Sequence, residues 1–181
     1  MTKMLTGATL AKKLFFWKYY NEKYYPIYTL TKLDDRFIRD SYYGGRTECL
    51  YRVGSCNHND NKKFYYFDFT SLYPSEAANN VLPYGKPIYK GDDWILHNTC
   101  TSEWDEDQKS EFNSFFGFIS VSVRTVNFDA RPLHGIRHNN SLMFTKFSKW
   151  TKLTLFSAEM KLGLQLGIYE YQLDRGIEFK K

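Results

Sequence analysis

The chain is 181 residues long, enough for one domain with a buried core or for part of a larger one, and 19% of it is aromatic. Lys and Arg total 25 against 20 Asp and Glu, a mild basic excess that fits a polyanion partner without demanding one. No apolar run reaches the ~18 residues needed to span a membrane, and three widely spaced cysteines, Cys49, Cys56 and Cys100, argue against a disulfide framework and for a reducing compartment.

The first 32 residues carry six lysines against Glu22 alone, whereas residues 92–111 carry seven acids against Lys109. The acid-poor start has the composition of a mitochondrial presequence. Leu10, Leu14 and Trp17 nevertheless share one helical face, so Thr9–Tyr20 is expected as an amphipathic core helix. Pro26 and the polar TKLDDR stretch are expected to form a connection. In Phe37–Arg52 the apolar pattern is broken by Tyr43-Gly44-Gly45-Arg46, a turn signal. Ser55–Lys63 reads as a polar loop, and the FYYFDF run that follows reads as a strand because of its aromatic density.

Pro74 can open a helix, since a missing N–H costs nothing in the first turn, and a short helix is expected through Glu76, Ala77 and Ala78 until Pro83 stops it. Beyond Lys90 an acidic loop leads into Phe115–Phe128, a strand with Ile119, Val121 and Val123 alternating onto one face. Ser157 is expected to cap a helix over AEMKLGLQL that Gly167 closes, and IYEYQL to begin a last strand. The result is an α+β domain with a mostly antiparallel sheet and an aromatic-rich core. His134-x3-His138 is a weak ligand spacing with no CxxC nearby, so structural zinc is not expected and the histidines are expected at the surface.

The chemistry concentrates at Asp68, the lone acid closing the FYYFDF run. A carboxylate at a strand end, beside a turn that opens a helix, can hold a divalent cation while the turn's amides face an anion. Asp68 and the backbone carbonyl of Phe69 would offer hard oxygens to Mg2+, and the N–H groups of Ser71, Leu72 and Tyr73 would face phosphates. That pairing suits phosphoryl transfer. An isolated Asp in such a place is more often a turn cap, and a Tyr73 more often a core residue.

The surrounding string shifts that balance. DFTSLYPS resembles the D-x-x-S-L-Y-P-S motif A of family B DNA polymerases at every fixed position. LPYGKPI, Leu82–Ile88, and YYGGRTE, Tyr42–Glu48, are similar to the protein-primed branch, whose Tyr-x-Gly-Gly motif precedes motif A. The resemblance implies a partial polymerase palm with a small α/β insertion: a linker helix and Tyr-x-Gly-Gly region over residues 1–52, a palm segment with motif A over 53–90, and an insertion resembling the terminal-protein region over 91–181. That last likeness rests on RHNNSLMF, Arg137–Phe144, and on length, with Arg137 and Lys146 expected as solvated charges.

Carried over residue by residue, Asp68 matches the catalytic aspartate that bridges both metals, and Phe69 the position that lends its carbonyl. Ser71 and Leu72 match residues lining the incoming triphosphate. Tyr73 matches the steric gate, whose ring leaves no room for the 2'-hydroxyl that distinguishes RNA from DNA. Tyr42, Gly44, Gly45 and Arg46 match the segment holding single-stranded template, where glycine permits close backbone approach and arginine neutralises phosphate.

The second metal carboxylate, a downstream D-T-D, is absent from these residues, as is the K-x3-N-S-x-Y-G motif. The implied function is therefore that of a fragment of a protein-primed DNA polymerase, transferring dNTPs onto a 3'-hydroxyl or a priming-protein hydroxyl and expected to be inactive alone. Its implied partners are template-primer DNA, dNTP, a terminal protein and the missing C-terminal portion of the polymerase. A mitochondrial linear plasmid or a virus is the implied setting. The alternative is a noncatalytic module that binds single-stranded DNA or terminal protein through its basic and aromatic surface. A metal-dependent hydrolase has no H-E-x-x-H or H-x-x-E-H spacing behind it.

Overall fold

The structure, a computed structural model, describes residues 6–24, 26–49, 53–54, 63–139 and 141–180. Most of the expected loop at Ser55–Lys63, with Cys56 and His58, lies outside the described residues.

The core is built by the second half of the chain. Strands β1 (Tyr84–Lys90), β2 (Gly117–Thr125), β5 (Thr151–Phe156) and β6 (Tyr169–Lys180) form one sheet in the order β1-β6-β2-β5. Every pairing in it is antiparallel. β2 sits between β5 and β6, with Val121 opposite Leu153 on one side and Leu173 on the other. The expected face of Ile119, Val121 and Val123 is fully buried, as period-two alternation against a core requires. Helix α5 (Ser157–Gln165) covers this face with Met160. Gly167, at φ +62, ends it by letting Ile168 N–H reach back to the Gly163 carbonyl at 3.1 Å. A separate hairpin, β3 (Gly135–His138) and β4 (Ser141–Phe144), turns at Asn139, whose φ of 48° asparagine tolerates.

The expected aromatic-rich core holds for this half, where Trp94, Trp104, Phe112, Phe115, Phe147, Tyr169 and Tyr171 join one buried cluster. Upstream of residue 84, only Ile38 and Ser41 are buried among the described residues. Helix α1 (Gly7–Lys18) forms as expected but buries nothing: Leu10 and Leu14 are half exposed and Trp17 is 82% exposed. The face that predicted a core helix has no described surface to pack on. FYYFDF likewise does not form a strand. A strand is defined by its ladder partner, and no described segment pairs with it. Tyr65 and Phe67 stack at 6.0 Å, as alternate side chains of an extended chain do.

TKLDDR is not a connection but the start of helix α2 (Lys32–Asp40), capped by the Thr31 hydroxyl, with Asp34 and Asp35 in the first turn. Carboxylates there meet the positive end of the helix dipole. The acidic loop beyond Lys90 likewise contains helix α4 (Glu106–Ser114), entered through a capping box between Asp105 and Gln108. Its Glu111 accepts from Trp94 Nε1 at 2.9 Å and pairs with Lys90, which also reaches Glu178, tying α4 to β1 and β6. Ser157 does not cap α5. It is the first helical residue, and its hydroxyl accepts from Gly117 N–H on β2 instead.

The histidines divide. His138 is exposed as expected, but His134 is wholly buried.

Candidate functional site

Two segments carry the sequence-derived site residues. The first is the turn from Asp68 to Tyr73, which feeds helix α3 (Leu72–Asn79). Ser71 enters this helix at φ 54, ψ 40, left-handed for a non-glycine residue, and its side chain caps nothing. The first amides of a helix have no intrahelical acceptor, and Pro74 at the third position offers none to be satisfied. The N–H groups of Leu72 and Tyr73 therefore open outward without a side-chain cap.

Asp68 is exposed and makes no ion pair or side-chain hydrogen bond with the described residues. It is therefore no turn cap. Tyr73 is 79% exposed and Phe69 77%, so neither belongs to a core. The whole turn is an open surface, flanked upstream by bare aromatics from Phe64 to Phe67. No three His, Cys, Asp or Glu side chains gather among the described residues in a way that could hold a metal ion. Asp68 and the Phe69 carbonyl are hard oxygen donors of the kind Mg2+ takes.

The second segment, Tyr42–Arg46, lies against the β3–β4 hairpin. Arg137 donates from a guanidinium nitrogen to the Tyr42 carbonyl at 2.8 Å, and Arg46 donates to the Pro132 carbonyl at 2.8 Å. Tyr43 donates to Glu159 of α5 at 3.0 Å and sets its ring edge-on to Phe144 at 6.0 Å. The Arg46 guanidinium lies 5.8 Å from the Phe144 centroid and also pairs with Glu48 at 2.9 Å. Burial, followed by the charge and hydrogen bond of Glu159, pushes the Tyr43 hydroxyl well above its ordinary pKa, and burial raises that of Glu159. Tyr43 is thus a neutral donor. Gly44 and Gly45 face open space. From Tyr43 a groove of about 590 Å³ runs between α2 and the sheet, bordered by Arg39, Asp40, Arg137, Lys152 and Arg175, with Arg39 paired to Asp35 and Lys152 to Asp174.

Sequence reasoning placed the two segments but missed what holds the second. Tyr43, Phe144 and Glu159 had no local signal, since their partners lie as far as 116 residues away. Arg137 and Lys146, expected as solvated charges, both donate to backbone carbonyls, of Tyr42 and Phe128 respectively. No hydrogen bond or ion pair among the described residues joins the two segments.

Comparison with known proteins addresses the chain as a whole. The family model of DNA polymerase type B, organellar and viral, matches residues 1–181. The chain belongs to that family. Among solved structures it is similar to Phi29 DNA polymerase complexed with primer-template DNA and incoming nucleotide substrates, with a TM-score of 0.61 and 19% identity. The alignment covers 99% of this chain and 30% of that polymerase, so the likeness is one of fold and the chain spans under a third of that relative. No curated protein matches. This type B polymerase chain is thus an α+β unit whose antiparallel sheet resembles part of the Phi29 enzyme.

Proposed function

We propose that the chain is the middle portion of a protein-primed DNA polymerase, carrying half of a two-metal nucleotidyl-transfer site. The observation that carries this reading is DFTSLYPS on an open turn, with the Asp68 carboxylate exposed and unpaired among the described residues, at the foot of a helix whose first amides lack a side-chain cap. Membership in the type B family and the fold shared with Phi29 polymerase support it.

In this reading Asp68 and the Phe69 carbonyl hold Mg2+, which when bound would neutralise charge on the triphosphate. The amides of Ser71, Leu72 and Tyr73 orient the phosphates, and the Tyr73 ring lies under the sugar and excludes a 2'-hydroxyl. Tyr42, Gly44, Gly45 and Arg46 pass the template strand, and residues 91–181 meet the priming protein. Residues outside this chain supply the second carboxylate, so the 181 residues alone bind without polymerising.

The test is made on the polymerase completed with the lysine and D-T-D motifs. It should extend a primer with dNTPs, and Asp68→Asn should lower the rate by about 10³-fold or more while the fold, followed by circular dichroism, stays unchanged. Full activity in that variant would remove Asp68 from the site. Tyr73→Val should admit rNTPs, and unchanged sugar selection would remove the gate.

For the isolated chain the binding reading gains weight from the exposed aromatics between Phe64 and Tyr73 and from the four cations that line the groove with Asp40. It calls for single-stranded DNA affinity that falls steeply with salt.

A further inference from the structure

Local contacts hold only the ends of the Tyr42–Arg46 loop, through Tyr42 N–H to the Arg39 carbonyl and Arg46 to Glu48. It has no ladder, and its two glycines raise the entropy lost on ordering it. Apart from the Tyr42 ring against Phe118, its long-range contacts come from residues 132–159: Arg137 to the Tyr42 carbonyl, the Pro132 carbonyl to Arg46, Glu159 to Tyr43, and the Phe144 ring against both Tyr43 and Arg46. Arg137 also borders Gly44, with Tyr43 and Leu142, around a cavity of about 340 Å³.

We propose that Arg137, backed by Phe144, is a positioning residue that clamps the glycine loop in the shape that receives single-stranded DNA. The β3–β4 hairpin of the insertion thereby sets the geometry of a loop whose Tyr42 lies 95 residues upstream of Arg137. The inference rests on the template reading of Tyr42, Gly44, Gly45 and Arg46. One N–H of the Arg137 guanidinium is committed to the Tyr42 carbonyl, a bond that a phosphate takes over only by releasing the loop. Arg46 is shared between Pro132 and Glu48, so its charge reaches a strand only where the clamp has placed it.

Two readouts on the 181-residue chain separate the clamp from the template reading. Backbone order parameters of Gly44–Thr47, from nitrogen-15 relaxation, need no DNA. Arg137→Met should lower them to below about 0.6, whereas Lys146→Met, which removes a hairpin-end cation bonded to Phe128, should leave them unchanged. Equal order parameters in wild type and Arg137→Met would overturn the clamp. Fluorescence anisotropy with a labelled oligo-dT is the second readout. Arg137→Met should weaken binding several-fold at every salt concentration with the log–log salt slope unchanged. A slope smaller by about 0.7 would mean that Arg137 neutralises a phosphate directly, which overturns its positioning role. If the order parameters fall but the wild-type chain binds no oligonucleotide, the clamp holds and the loop is not a template contact, so the DNA half of the inference falls.

Discussion

His134 is a polar residue sealed in the interior. Its Nε2 lies 2.7 Å from the Tyr171 hydroxyl, its ring stacks on Tyr169 at 4.5 Å, and its Nδ1 has no partner among the described residues. Tyr169 in turn uses its hydroxyl to accept from Leu133 N–H at 2.7 Å. Burial holds the His134 pKa down at about 4, against about 6.5 for a free imidazole. The unfolded chain therefore takes up this proton first. The stability contribution is complete above pH 6.5 and is lost progressively as pH falls towards 4, by about 3 kcal/mol across that window. His134→Gln should flatten the pH dependence of urea unfolding between pH 7 and 4.5, whatever it costs at pH 7. An identical slope in the variant would place the acid sensitivity elsewhere. Asp68 stands at the opposite extreme. It is a carboxylate that the described residues neither pair nor bury, which leaves it open to a ligand.

The helices divide by what stabilises them. Helix α4 has strong termini and a single buried residue, Phe112, so its cap matters in proportion. Asp105→Ala removes the acceptor for Gln108 N–H, made at 2.8 Å, and unmakes the reciprocal bond. It should cost about 1 kcal/mol in urea denaturation with an unchanged m-value. A shift below 0.3 kcal/mol would show that packing alone holds α4. The signals for α2 and α4 were present as Thr31-x-x-Asp34 and Asp105-x-x-Gln108, but the acids that form the caps and first turns also make the segments look like solvated loop. Helix α1 and the FYYFDF run failed in the opposite direction. Both carry the right local pattern, but periodicity reports which face seeks burial and says nothing about whether a surface is there to meet it.

Across the molecule, packing tolerance mirrors the division between core and site. A Cβ on Gly117 would lie 2.0 Å from the Ile177 carbonyl oxygen and 2.9 Å from Glu178 Cα, both backbone of the neighbouring strand, so β2 and β6 could not close. A Cβ on Gly45 would meet nothing within 4 Å. Gly117→Ala should therefore cost about 3 kcal/mol or more, and Gly45→Ala should stay within about 0.5 kcal/mol. Any loss of oligonucleotide binding in Gly45→Ala then reports on backbone approach to a ligand, since the fold is untouched. Intact binding in that variant would remove the close-approach role.

The sequence by itself determined the family, through DFTSLYPS and the Tyr-x-Gly-Gly string. It also determined β2, α3, α5 and the start of β6, because their hydrophobic period and terminal glycine or proline signals act within a few residues. Only the tertiary structure decided that His134 is buried, that Ser157 serves β2 instead of a cap, and that Arg137, Phe144 and Glu159 hold the glycine loop. Those outcomes depend on groups brought together from as far as 116 positions apart. A side chain's choice among hydrogen-bond partners is settled by proximity in space, which no local pattern encodes.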